Sequence, residues 1–333
     1  MSSLFLKDSH VTLKDIEEAQ IRIKKYLDET ALVECKSLAD KLNFPGKLLF
    51  KLDNQQPTGS FKVRGAFNNI LQLTANEAEV GVVARSSGNF SQAVAYASKT
   101  LNVPATIVMP PNAPKIKIEG TKKWGAKVLF TNTAAQEEGE ELVKKLTEEN
   151  KYIPLHPYNT LRTLIGQGTA GLEIMDQCNN QNIAIHHFYC PIGGGGLLSG
   201  CATAFKESLP TITIHGIEPE KASDYFQSRK QGKRVTIKNI DTIADGLRSS
   251  AVGEVNYPLL NKNVDEVDIV TELEIKKAMK VAKDHLGIVI EPSGAVALAG
   301  FLKAPPSEGN IVIFISGQNV DKDAYDKWIA EAS

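Results

Sequence analysis

The apolar positions of this chain fall into two alternating kinds of run. Short, near-continuous apolar stretches occur at KLLFKLD (47–53), VGVVAR (80–85), ATIVMP (105–110), AKVLFT (126–131), IAIHHFYCPI (183–192), TITIHGIE (211–218) and NIVIFIS (310–316). Their length and their β-branched and aromatic content predict strands. Between them, 89–100, 134–149, 162–177 and 272–286 read as helices, and Thr271 with Glu274 forms a capping box ahead of the last. Strands that are apolar on both faces and separated by helices predict an α/β fold with parallel sheets covered on both sides. A chain of 333 residues is long for one core, so two lobes are expected. The polar stretch 227–241 reads as a surface excursion, not a linker.

Composition and charge mainly exclude. A net charge of −1 gives no field to draw nucleic acid or an anionic membrane. No run approaches the roughly 20 apolar residues of a membrane span. The start, MSSLFLKDSHVTLKD, lacks the apolar core of a signal peptide. Cys35, Cys178, Cys190 and Cys201 make no C-x-x-C pair, which predicts reduced thiols in a cytoplasmic protein. The glycosylation triplet Asn89-Phe90-Ser91 is then read as chance.

In doubly wound sheets, ligands bind beyond the carboxyl ends of the strands. Two such places carry candidate chemistry. The strand at 183–192 runs into PIGGGGLLSG, where Gly193, Gly194, Gly195 and Gly196 precede a helix expected to start near Leu197. Bare N–H groups at a helix start form an anion site, although a tight strand-to-helix turn also uses glycine. The dinucleotide spacing fails, because Leu198 or Ser199 stands at its last glycine position, and no Gly-Lys-Ser/Thr follows. A single phosphate is the remaining fit. The second place is PTGSFKVRGA (57–66), with a helix expected over 62–73 and capped by Thr58 or Ser60. Lys62 then lies in the first turn, at the edge of the stripe Val63, Ala66, Phe67, Ile70 and Leu71. The helix dipole and desolvation both favour its neutral, nucleophilic amine. The plainer alternative is a lysine with a packed stem and a solvated head. A phosphate cradle and an activated lysine together suggest pyridoxal phosphate.

PTGSFKVRGA resembles the cofactor-lysine motif of the fold-type-II pyridoxal-phosphate enzymes, whose fold is like that of the tryptophan synthase β chain. Within them the chain is most similar to the serine racemase and serine/threonine dehydratase branch. SSGNFSQAVA (86–95) resembles that branch's substrate-carboxylate loop. GGGGLLSG resembles its phosphate cup, and TIADGL (242–247) and SGQNVD (316–321) resemble two further motifs. The resemblance runs from about residue 12 to residue 321. It implies that Lys62 bonds the cofactor aldehyde and moves the α-proton, that Phe61 packs beside the ring, and that Asn89 bonds the ring hydroxyl. It implies that Gly193, Gly194, Gly195, Gly196 and Leu197 hold the phosphate, that Ser316 faces the ring nitrogen, and that Glu291 lies near the cofactor. Ser86, Ser87, Gly88 and Asn89 are implied to bind the substrate carboxylate, with His156 at the cavity mouth. Ser87 is either a carboxylate ligand only or, as in racemases of this branch, a proton donor on the face opposite Lys62. Glu218, the carbonyl of Ala222, and Asp224 are implied to hold Mg2+, Ca2+ or Mn2+, and all-oxygen ligands suit those ions.

Three positions depart from the pattern. Phe90 stands where histidine is common, Gln318 where glycine is, which predicts crowding on the ring-nitrogen side, and Ala31 where proline is. The resemblance implies a large domain of 1–74 and 160–333, a small mobile domain of 75–159, a homodimer, and β-elimination on serine- or threonine-type hydroxy amino acids with release of a 2-oxo acid and ammonia. Serine racemisation on the same site is allowed, and a nucleotide effector is left open. Other readings are a primary serine racemase, a 3-hydroxyaspartate ammonia-lyase, a sulfur-amino-acid synthase, or a non-catalytic phosphate binder. Only 13 residues follow Val320, which predicts no regulatory domain of the kind found on biosynthetic threonine dehydratases.

Overall fold

The computed structural model describes residues 10–332. Residues 1–9, most of the apolar start weighed above as a leader, and residue 333 at the end of the predicted large domain lie outside the described residues. Ten strands occur among those described: β1 (Leu32–Glu34), β2 (Leu48–Leu52), β3 (Val82–Arg85), β4 (Ala105–Met109), β5 (Lys127–Phe130), β6 (Ile153–Leu155), β7 (His187–Pro191), β8 (Thr213–Pro219), β9 (Glu266–Val270) and β10 (Ile311–Ile315). They make a six-stranded sheet in the order β1-β2-β10-β7-β8-β9 and a four-stranded sheet in the order β5-β4-β3-β6. Every pairing is parallel except β1 with β2.

The large sheet is covered on both faces, and alternation along its strands sorts residues between two cores. Leu49, Phe188, Val312 and Phe314 face helices Leu161–Asn180 and Gly196–Ser208. Leu48, Phe50, Ile311 and Ile313 face helices Glu272–Leu286 and Pro292–Lys303. This explains why the runs read as continuously apolar. The small sheet shares a third core with helix Lys62–Ile70, through Val63, Ala66, Phe67 and Ile70. The opposite side of that helix meets helix Leu161–Asn180, where a Cβ on Gly166 would lie 2.8 Å from the Cα of Gly65. Helix Lys62–Ile70 is therefore wedged between the two sheets.

The predicted elements differ from the structure in instructive places. The strand expected over 183–192 begins only at His187, because the lead-in bonds across to Asn310. Residue 80 ends helix Ala75–Val80 and is not part of a strand. The helix expected over 62–73 stops at Ile70, since Thr74 and Glu77 form a capping box that starts the next helix. The capping box of Thr271 and Glu274 is present. Three strands had no sequence signal strong enough to read. Of these, β6 contains Pro154, which its edge position tolerates. None of the described helices is long and apolar enough to cross a membrane.

Candidate active site

A cavity of about 650 Å³ opens at the carboxyl ends of both sheets. Its walls include Phe61, Lys62, the 86–90 loop, His156, Tyr158, Gly193 to Leu197, Glu291, Ser293 and Ser316. The residues expected from distant parts of the chain are thus brought to one place. Glu218, Ala222 and Asp224 are not in this wall.

Lys62 is the first residue of its helix, after Phe61 at the N-cap. The N–H of Phe61 donates to the carbonyl of Ser316 at 3.1 Å, and Ser60 bridges to Gly317. This stitching to the end of β10 aims the chain, and it corrects the expected cap. Neither Thr58 nor Ser60 caps the helix; both hydroxyls are buried without a partner. The amine of Lys62 donates to the carbonyl of Pro157 at 3.3 Å and sits 4.9 Å from the Phe61 ring centre. Burial lowers its pKa to about 8, against the pull of Glu291 in the opposite direction. Lys62 is partly buried in the cavity wall, and its amine has a protein acceptor.

The glycine run is a cradle. Gly195 has φ +88°, and helix Gly196–Ser208 follows it. A Cβ on Gly194 would fall 2.2 to 2.4 Å from the Tyr158 ring, and one on Gly193 would lie 3.1 Å from Leu247. The carbonyl of Gly194 accepts from Gly253 N–H and from Asn256 Nδ2, fixing the loop. The N–H groups of Gly193 to Leu197 meet no protein acceptor among the described residues. A row of unpartnered amides at a helix start suits a phosphate.

Asn89 begins helix Asn89–Leu101. Its Nδ2 donates to Glu291 Oε1 at 2.5 Å, and its Oδ1 accepts from Asn319 Nδ2 at 2.9 Å. One amide hydrogen stays available to a ligand. Gly317 is needed for this contact, since a Cβ there would lie 2.1 Å from Glu291 Oε1. Burial raises Glu291 to about 7, while Lys117 pulls it down. Ser316 is buried and donates to the carbonyl of Ser293 at 3.3 Å. Ser86, Ser87 and Gly88 are partly exposed in the wall, and the hydroxyl of Ser86 accepts from Gly88 N–H. His156 accepts from the N–H groups of Tyr158 and Asn159 through Nδ1, so it is neutral there and packs edge-on against Tyr158.

Two departures are resolved. Phe90 is buried in the small-sheet core, so that position supplies no proton relay. Gln318 does not crowd the cavity. It is exposed, lies outside the cavity wall, and accepts from Asn54. Sequence reasoning missed Lys117, whose amine lies 2.5 Å from Asp245 and 3.4 Å from Glu291. In KIKIEGTKK it looks like any solvated lysine; only the packing of helix Lys115–Lys123 across the cavity buries it.

Away from the cavity, Glu218 accepts the N–H groups of Tyr225 and Phe226 at 3.0 and 2.6 Å. Asp224 is buried beside it, and neither of its carboxylate oxygens has a partner of good geometry. Burial pushes Glu218 well above the carboxylate range and Asp224 to about 7, although the Val252 N–H and the Ser249 hydroxyl soften the latter.

The model of the family described as "Pyridoxal-phosphate dependent enzyme" matches residues 23–317. The chain is 41% identical over 324 residues to a serine racemase of Dictyostelium discoideum, covering 95% of this chain and 97% of the relative. It is 36% identical over 316 residues to the L-threo-3-hydroxyaspartate ammonia-lyase of Saccharomyces cerevisiae, covering 94% and 95%. The solved structure of maize serine racemase superposes with a TM-score of 0.90 at 37% identity, over 96% of this chain and 97% of that one. With a row of unpartnered amides, a lysine of lowered pKa in the same cavity wall and these matches, the chain belongs to the family of pyridoxal-phosphate dependent enzymes.

Proposed function

We propose that this enzyme eliminates the β-hydroxyl of serine- and threonine-type amino acids, giving a 2-oxo acid and ammonia, and that it racemises serine on the same site. The observation that carries the reading is the placing of the Lys62 amine in one cavity with the Ser86–Asn89 loop and the glycine cradle. The names of the relatives support it. Bound pyridoxal phosphate supplies an electron sink for the α-carbon. The amides of Gly193 to Leu197 hold its phosphate, Asn89 and Ser316 orient its ring, and Phe61 packs beside it. Ser86, Ser87, Gly88 and Asn89 receive the substrate carboxylate at a helix start. Lys62, neutral for about half the molecules at pH 8, takes the α-proton. Ser87 returns a proton from the other face when the product is the D-amino acid. Residues 75–159 form the moving part, whose closure excludes water. We place the enzyme in the cytoplasm as a homodimer; its four cysteines are buried and free. A nucleotide effector remains part of the proposal.

Chiral analysis of products from L-serine, L-threonine and 3-hydroxyaspartate tests this. Ser87→Ala should abolish D-serine formation while 2-oxo acid still forms from L-serine. D-serine production by that variant rules out two-base inversion, and wild-type protein that forms neither product rules out the assignment.

Glu218, the Ala222 carbonyl and Asp224 are proposed to hold magnesium or a similar hard cation. Two buried carboxylates side by side, with both oxygens of Asp224 unpaired, are the chemistry such an ion neutralises. Magnesium should therefore raise the wild-type unfolding temperature in a concentration-dependent way. The effect should vanish in Asp224→Asn; an equal rise in that variant places the ion elsewhere.

A further inference from the structure

The cavity wall contains an arginine with no counter-charge. Arg85 ends β3, one residue before the Ser86–Asn89 loop, and lines the cavity in a partly exposed position. Of the other arginines nearby, Arg64 is bound by Asp53 and Glu173, and Arg248 donates to the carbonyl of Thr242, whereas Arg162 in the same wall also lacks a carboxylate partner among the described residues. Arg85 has no carboxylate within 4.0 Å and no protein acceptor among the described residues. Glu140, also in the wall, instead accepts from Gln136.

The arginine is nevertheless held in place. Its stem lies against Gly139 of helix Gln136–Asn150, where a Cβ would fall 2.6 Å from Nε and 2.7 Å from Cδ. A glycine inside a helix is unfavourable by propensity, so this one is explained by the room it leaves for Arg85. The charge is felt across the cavity. His156 is held down to about 4 by burial first, and then by Lys62 and Arg85.

We propose that Arg85 is a specificity-determining cation that binds a second, distal carboxylate of the substrate, so that the site prefers 3-hydroxy amino acids with an anionic side chain. This rests on the functional reading above and names its substrate class. The α-carboxylate takes the amides of the loop, and the guanidinium next to them offers a planar fork that matches a carboxylate bidentately. A partly desolvated cation without a protein partner is costly, and an anionic ligand removes that cost.

The test compares kcat/KM for 3-hydroxyaspartate with kcat/KM for serine in one holoenzyme preparation. Arg85→Met should lower that ratio by about 10- to 100-fold, the worth of a charge-assisted bidentate contact. Gly139→Ala should also lower it, because the new methyl displaces Arg85 without removing any charge, and it should fold well because alanine favours the helix. A ratio held within about threefold in both variants overturns the proposal. So does a ratio that responds to Arg162→Met, the other arginine of the wall without a carboxylate partner, and not to Arg85→Met. A second measurement needs no turnover: wild-type holoenzyme should bind succinate at least about tenfold tighter than succinamate, its monoamide, by calorimetry. Equal binding overturns the role of Arg85. Wild-type enzyme that discriminates the two ligands yet turns over no hydroxy amino acid instead sinks the reaction and leaves Arg85 as a carboxylate site.

Discussion

Lys62→Ala is expected to reduce 2-oxo acid formation by at least about 10³-fold, since in the proposed function it removes both the group that carries the cofactor and the base that moves the α-proton. The physical basis is the state of the amine. An ordinary lysine with a pKa of 10.5 is neutral in about 0.3% of molecules at pH 8, whereas burial brings Lys62 to about 8, where roughly half are neutral. The sign follows directly: the neutral fraction grows as pH rises and levels above the pKa. The rate at which cofactor-free protein captures pyridoxal phosphate should therefore climb about tenfold per pH unit below 8 and flatten above it. Visible absorbance follows that capture without any substrate. Lys62→Arg, which stays charged, should fail alongside the alanine variant. Retention of more than about a tenth of turnover by Lys62→Ala, or a capture rate still climbing at pH 10, removes Lys62 from the role.

The second large effect concerns stability. Behind the helix that presents Lys62, four charged groups are sealed from solvent. Arg64, fully buried, donates to both oxygens of Asp53 at 2.7 and 2.8 Å and to both oxygens of Glu173 at 2.6 and 2.7 Å. Lys51, also fully buried, donates to Glu173 at 2.7 Å, to the carbonyl of Thr30 and to Gln177. Two cations thus balance two anions, and nearly every donor and acceptor is used. Asp53 is held below the ordinary carboxylate range; burial pushes it up, but Arg64 and Lys51 together pull it further down. Asp53→Asn breaks this balance and leaves a surplus buried cation, at a cost of about 3–5 kcal/mol. The urea midpoint should fall accordingly at constant slope. By contrast, Asp326→Asn, in an exposed ion pair with Lys322, should not shift the midpoint measurably. Equal, small effects at both places mean that the buried cluster does not anchor the helix. Because Arg64 lies two residues beyond Lys62, Asp53→Asn should also lower turnover.

The cluster also shows the boundary of what a sequence reveals. Lys51, Asp53, Arg64 and Glu173 look in the sequence like ordinary charges on a strand end and two helices. Nothing in their spacing says that they meet, since the contact joins positions about 120 residues apart by folding. Lys117 was illegible for the same reason. It sits among other lysines, and only the placing of its helix against Asp245 and Glu291 buries it. The caps expected for the lysine helix failed because the preceding backbone is committed to β10, a partner distant in sequence.

What the sequence determined by itself was local and chemical. The apolar runs specify parallel strands, because a strand covered on both faces can expose no polar side. The four glycines specify an amide cradle, because a side chain at Gly194 would overlap Tyr158. The PTGSFKVRGA segment specifies a lysine at a helix start. The tertiary structure decided everything that depends on which groups share a volume from which water is excluded. It set the lowered pKa of Lys62, the pairing of the buried charges, the bond from Asn89 to Glu291, and an Arg85 left with a charge and no partner. Desolvation and Coulomb energy depend on distance in space, and distance along the chain does not encode them.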